Sequence, residues 1–209
     1  MRKTAWIAPL TGVLLVVVSL VSFAIVGEPP DVNEESAREI VDFYSDNRDA
    51  VQLGSALAAL AGALAVVFGA YVCTVLRATE GENGVLPLVA FAGMIAFGLG
   101  IAIDGTINFA LADSIDELDP ASAQALLALW NNDFLPTLMG MFLFLLAVGI
   151  SSLRGSAIPK WIGALAIVLA ILALTPLGFA AFVGGAVLIV VISVVLTIRT
   201  RAAAHTETL

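Results

Sequence analysis

From Trp161 to Ile198 the chain runs 38 residues without a charged side chain. As one helix this stretch would reach about 57 Å, nearly twice the ~30 Å hydrocarbon layer of a bilayer. It must therefore double back. Thr175-Pro176-Leu177-Gly178 is the only turn-forming cluster near its middle. The segment reads as two apolar helices, at about 161–174 and 178–198.

The rest of the chain follows the same plan. Of its 209 residues, 60% are hydrophobic and 12% charged, against roughly 45–50% and about 25% in soluble domains. One soluble core of this size could not bury that much apolar surface. Further spans are expected at about 5–26, 50–76, 85–112 and 134–153. The expected fold is all-α: a polytopic membrane helical bundle of six transmembrane helices with two short external amphipathic helices. It forms a single integral membrane domain over 1–209. The first span follows Arg2 and Lys3 and stops at Gly27-Glu28-Pro29-Pro30. A signal peptide shares this plan, with Ser22-Phe23-Ala24 as a cleavage site. The apolar run exceeds the ~7–15 residues of a signal core, so a retained helix is expected.

Basic residues set the sidedness. With the N-terminus inside, Arg2, Lys3, Arg77, Arg154, Lys160, Arg199 and Arg201 are cytoplasmic, and only Arg38 and Arg48 lie outside. The expectation is a multi-pass cell-membrane protein with both termini cytoplasmic. Trp6 and Trp161 fall at the inner interface and Trp130 at the outer one.

The external segments, about 33–48 and 120–132, carry helical periodicity. Ala37, Ile40, Val41 and Tyr44 recur at i, i+3, i+4, i+7, and Ala123, Leu126, Leu127 and Trp130 do the same. Asn33 is a candidate N-cap, and Ser36 to Glu39 fits a capping box one turn later. Asp119-Pro120 provides a cap and a first-turn proline. These helices either lie on the outer leaflet or cap the bundle. Their acidic polar faces favour the cap. An offset of 86 maps Ser36 onto Ser122, Gly54 onto Gly140 and Asp46-Asn47 onto Asn132-Asp133. That offset suggests a duplicated unit of span, external helix and span. The bland alternative is that any two amphipathic helices align this way.

Asp104 is the one ionisable side chain within a span, a costly placement that marks it for scrutiny. From Leu86 it lies about 27 Å up the helix, near the outer headgroups. It shares a face with Gly93, Ala96, Gly100 and Asn108, a small-residue seam suited to close helix approach. Gly54, Ala58, Ala61, Ala65 and Gly69 form a similar seam on the second span. Asp104 is expected to point inward, within reach of Asn108, Gln52, Asn131, Asn132 and Asp133, with Arg38 or Arg48 as a partner. One reading is a structural carboxylate locking helix ends. The other is an external polar pocket.

The net charge of −8 argues against nucleic acid and anionic headgroups as partners. One cysteine, Cys73, and one histidine, His205, leave no disulfide, no multi-cysteine metal site and no histidine-based catalytic or haem site in the helical body. No catalytic residue, cofactor or metal is expected. The lipid bilayer is the expected partner, and a homo-oligomer or second membrane protein stays open.

Two blocks carry a family resemblance. They are DVNEESAREIVDFYSDNRDAV, Asp31 to Val51, and LRGSAIPKWIGALAIVLAILALTPLGF, Leu153 to Phe179. The chain resembles an uncharacterised actinobacterial family of six-span integral membrane proteins. The resemblance implies the topology and no activity. The expected function is a non-enzymatic scaffold or accessory protein of the cell envelope. The alternative is a small-solute transporter or channel built on the duplicated hairpin.

Overall fold

The structure is a computed structural model describing residues 7–33, 35–81, 83–155 and 158–206, the side chains of 203–206 excepted. Arg2, Lys3, Trp6, the start of the first span and the His205 side chain lie outside the described residues. The described chain is all helical. A short 3-10 turn, Ala8–Leu10, leads into α1 (Thr11–Val26). Then come α2 (Ala37–Asp46), α3 (Arg48–Glu80), α4 (Val85–Ser114), α5 (Pro120–Trp130), α6 (Phe134–Leu153), α7 (Lys160–Ala173) and α8 (Gly178–Thr206). Five stretches are long and apolar enough to cross a membrane, the one that includes α6 running on from α5. The sixth apolar helix, α7, has 14 residues and rises only about 21 Å.

α4 is central, packed on α3 along one side and on α6 along the other. Glycine makes both contacts possible. A Cβ on Gly98 would stand 2.5 Å from the Gly62 carbonyl oxygen, and one on Gly93 would stand 2.6 Å from the Phe144 nitrogen. The expected seam of Gly93 and Gly100 therefore faces α6, at Phe144 and Thr137. A second seam, Gly98 and Gly105, faces α3 at Gly62 and Ser55. The main core fills the bundle with Leu15, Phe68, Met94, Phe144, Leu145 and Ile189. The Phe68 and Phe144 rings sit 6.0 Å apart between centroids.

A second, separate core caps one end, joining Ile40 and Tyr44 of α2, Leu111 and Ile115 at the α4 end, and Ala123 and Leu127 of α5. The 33 residues of α3 and 30 of α4 rise about 50 and 45 Å, well beyond ~30 Å, so the first turns of α3 and the last turns of α4 reach this layer. The apolar faces of α2 and α5 are turned onto the bundle. The outer side of α5 is not polar throughout, since Leu129 there is 54% exposed.

The cap of α2 is Ser36, which corrects the expectation at Asn33. Asn33 instead donates to Asp31 Oδ1 through its backbone N–H, at 2.8 Å, an Asx turn ahead of the helix. Glu39 accepts from the Ser36 N–H at 2.7 Å, and Ser36 Oγ accepts in turn from the Glu39 N–H. The Ser36 backbone and hydroxyl hold the Glu39 carboxyl below the usual carboxylate range. A depressed carboxylate stabilises above its unfolded pKa, and the contribution is lost as pH falls through the folded value. Ser36→Ala should weaken α2 by about 1 kcal/mol, the worth of an N-cap side chain. Amide exchange in α2, compared with α3, should show the difference, and part of it should persist in acid, where Ser36 Oγ still accepts from the Glu39 N–H.

The 86-residue offset has a structural counterpart. It maps the first residue of α3, Arg48, onto the first of α6, Phe134. Gly54 of α3 receives Ser22 and Val26 of α1, while Gly140 of α6 receives Gly93 and Phe97 of α4. At both positions the glycine takes the preceding long helix.

α1 is fastened at both ends to different helices. Near its start the Ser193 hydroxyl of α8 donates to the Pro9 carbonyl. Near its end Ser22 Oγ donates to the Gly54 carbonyl of α3, at 2.7 Å. Toward the capped end, α1 and the first half of α8 line a shared space.

Candidate functional site: a cavity beneath the helical cap

The space between α1 and α8 is a cavity of about 400 Å³ whose walls include Leu15, Phe23, Ser55, Phe97 and Ile189. A neighbouring cavity of about 670 Å³ lies between the α5–α6 corner and the start of α8. The two share Ile101, Asp104, Trp130, Phe179 and Phe182. Asp104 thus stands at their junction.

The short α7 helps create the second cavity. It sets the turn at Thr175 to Leu177 low in the bundle. A Cβ on Gly178 would stand 3.8 Å from Leu138, a full turn inside α6 from its start at Phe134. The α5–α6 corner overhangs this turn. Three residues, Asn131 to Asp133, make that corner, with the Asn131 N–H donating to the Leu127 carbonyl at 2.9 Å. The corner holds Trp130 and Asp133 over α4.

Of the six polar residues expected in this pocket, Asp104 included, the structure brings together four. Asp104, Asn131 and Asp133 line the larger cavity, and Asn108 lines the smaller one with Asp104. Gln52 turns away and donates to Asp113 Oδ1 at 3.2 Å. Asn132 turns back to the Ala128 carbonyl, at 2.7 Å. The expected pairing of Asp104 with Arg48 is also corrected, because Arg48 reaches Asp116 at 2.5 Å on the surface of the cap. Arg38 is exposed on α2.

Residues that drew no attention as a site complete it. The Tyr44 hydroxyl donates to Asn108 Oδ1 at 2.7 Å, and both groups are buried. Burial holds the Tyr44 hydroxyl pKa above its ordinary value, and the Asp104 carboxylate adds to the effect. The Trp130 indole N–H is directed at Asp104 but is buried without a partner of hydrogen-bond geometry. Asp133 Oδ2 is likewise buried and unpaired, and its charge acts on Asp104. Ser55 is 6% exposed, lines the smaller cavity and has no partner for its Oγ. The helical register of Tyr44 on the buried face of α2 was the one signal available for it. Nothing in an apolar run distinguishes Phe179 and Phe182 from other phenylalanines.

Chemically, the site combines two carboxylates with aromatic and aliphatic walls, and no lysine or arginine lines either cavity. Among the described residues no third carboxylate, histidine or cysteine joins Asp104 and Asp133 as a metal-ligand set. Comparison with family models, curated proteins and solved structures finds no match.

Proposed function

We propose that this chain is a six-span protein of the cell membrane, with α1, α3, α4, α6, α7 and α8 as spans and both termini cytoplasmic. The α2 and α5 helices form an external amphipathic cap. The protein acts as a non-enzymatic scaffold or accessory protein of the envelope; the family resemblance bears on its topology alone. The observation that carries this reading is the closed floor beneath the cavity. Leu15, Phe97 and Ile189 line the cavity and also belong to the main core, which continues to Leu76, Ile158 and Leu196 at the opposite end. A conduit needs polar groups along its length, and that core is apolar. The basic residues Arg77, Arg154 and Lys160 at that opposite end support its cytoplasmic placement. Glu80 there pairs with Arg154 at 3.5 Å.

The second reading, a small-solute transporter, is favoured by the matching roles of Gly54 and Gly140 and by the cavity around Asp104. In that reading the packed floor would have to open.

Single cysteines test the topology in a Cys73→Ala background. Cysteine at Glu35 or Glu117 should react with impermeant thiol reagents on intact cells, and cysteine at Asn83 should react only after permeabilisation. Labelling of the Asn83 position from outside would reject the six-span topology. Proteoliposomes separate the two functions: the scaffold reading expects no saturable solute or ion flux above empty vesicles, and such flux would establish the transporter.

A further inference from the structure

The two cavities meeting at Asp104 have a composition that selects a class of ligand. We propose that they bind lipophilic cations, molecules with an apolar body and an ammonium or similar positive group. The inference goes beyond the scaffold reading and needs only the cavity, so it stands or falls apart from the sidedness of the cap.

Charge is the first argument. Asp104 and Asp133 both line the larger cavity, and no basic side chain lines it. Arg48 is engaged by Asp116 on the surface. A positive group between the carboxylates would relieve their repulsion, whereas a phosphate or carboxylate head would add to it.

Shape and surface are the second. Most of the wall is apolar, with Trp130, Phe134, Phe179 and Phe182 around the acidic end. Aromatic faces attract an organic cation through their quadrupoles, an attraction that grows when the ion is desolvated. A small hydrated metal ion would find only two carboxylates. Cavities of about 400 and about 670 Å³ fall in the range of organic-ligand sites.

The third argument is independent of charge. Ser55 Oγ lines the smaller cavity with no hydrogen-bond partner in a residue 6% exposed. Buried hydroxyls normally have partners. It marks polar capacity beside the cavity that the protein leaves unused.

Trp130 provides the readout. In a Trp6→Phe, Trp161→Phe background it is the only tryptophan, since the chain has three. The protein is placed in zwitterionic phosphatidylcholine nanodiscs and titrated with bromoundecyl trimethylammonium, whose bromine quenches indole fluorescence. Bromoundecanol and bromoundecyl sulfate are the neutral and anionic probes. The expected result is saturable quenching by the cation alone, with affinity about tenfold weaker in Asp104→Asn, the scale of one lost charge contact. Thermal unfolding shows whether each variant is folded. If Asp104→Asn does not fold, Asp133→Asn takes its place with the same expected weakening. Equal or unsaturable quenching by all three probes, or undiminished cation affinity in the folded variant, overturns the proposal.

Discussion

Gly98→Leu should leave little folded protein, because α3 and α4 meet backbone to backbone at this point. A Cβ on Gly98 would be 2.5 Å from the Gly62 carbonyl oxygen and 3.3 Å from the Ala65 Cβ. The nearest atom is main chain and cannot swing aside. Even Gly98→Ala should cost about 3 kcal/mol, the upper part of the range for overpacking. The adjacent Leu99 is 56% exposed, and Leu99→Ala should change stability by less than about 0.5 kcal/mol. Thermal unfolding of the three variants in one detergent checks the contrast. A wild-type melting temperature for Gly98→Leu would mean that the two helices do not meet there.

The second large effect lies at the junction of cap and bundle. Tyr44 and Asn108 are both buried and are joined by one hydrogen bond of 2.7 Å. Tyr44→Phe leaves Asn108 Oδ1 without its donor, and Asn108→Leu leaves the tyrosine hydroxyl without its acceptor. Each should cost about 1–3 kcal/mol, the penalty for an unpaired buried polar group. The double variant should cost less than the sum, because neither partner is then stranded. Strict additivity in unfolding experiments would show that the two groups do not interact. Amide exchange adds a local test, since loss of this bond should loosen α2 before α3 or α4.

The ends of the helices show which parts of the fold were legible in the sequence. The expected span at 134–153 coincides with α6, because a charge or turn residue stands at each of its ends. The second span was expected at 50–76, yet α3 runs from Arg48 to Glu80. Hydropathy senses the hydrocarbon layer and does not register that the backbone stays helical beyond it. The second seam of α4 lies on another face: Gly98 and Gly105 are each five residues, about 140°, around the helix from Gly93 and Gly100, and no polar side chain marks that face as Asp104 marks the first. Gln52 was expected near Asp104 from its height alone. It stands two residues from Gly54, about 200° around the helix, so it cannot share that seam. Asn132 sits in a tight corner where a short amide side chain is drawn to the nearest backbone carbonyl. Trp130 was visible as a residue of the apolar face of α5. That its N–H would reach Asp104 depended on the angle of a three-residue turn, which no periodicity encodes.

The short α7 has a mechanical consequence for a protein held in a bilayer. Its rise of about 21 Å falls some 9 Å short of a ~30 Å hydrocarbon layer, while α3 and α4 exceed that thickness. In the proposed membrane setting the lipid annulus is therefore uneven around the perimeter. On the α7–α8 flank, acyl chains must compress, or the hairpin must tilt, to avoid exposing Leu174, Leu177 and Phe179, which are 69%, 59% and 81% exposed. Each ångström of such mismatch costs a fraction of a kilocalorie per mole. Thin bilayers relieve that strain and thick ones increase it, so membrane thickness acts on one side of this molecule and hardly on the other.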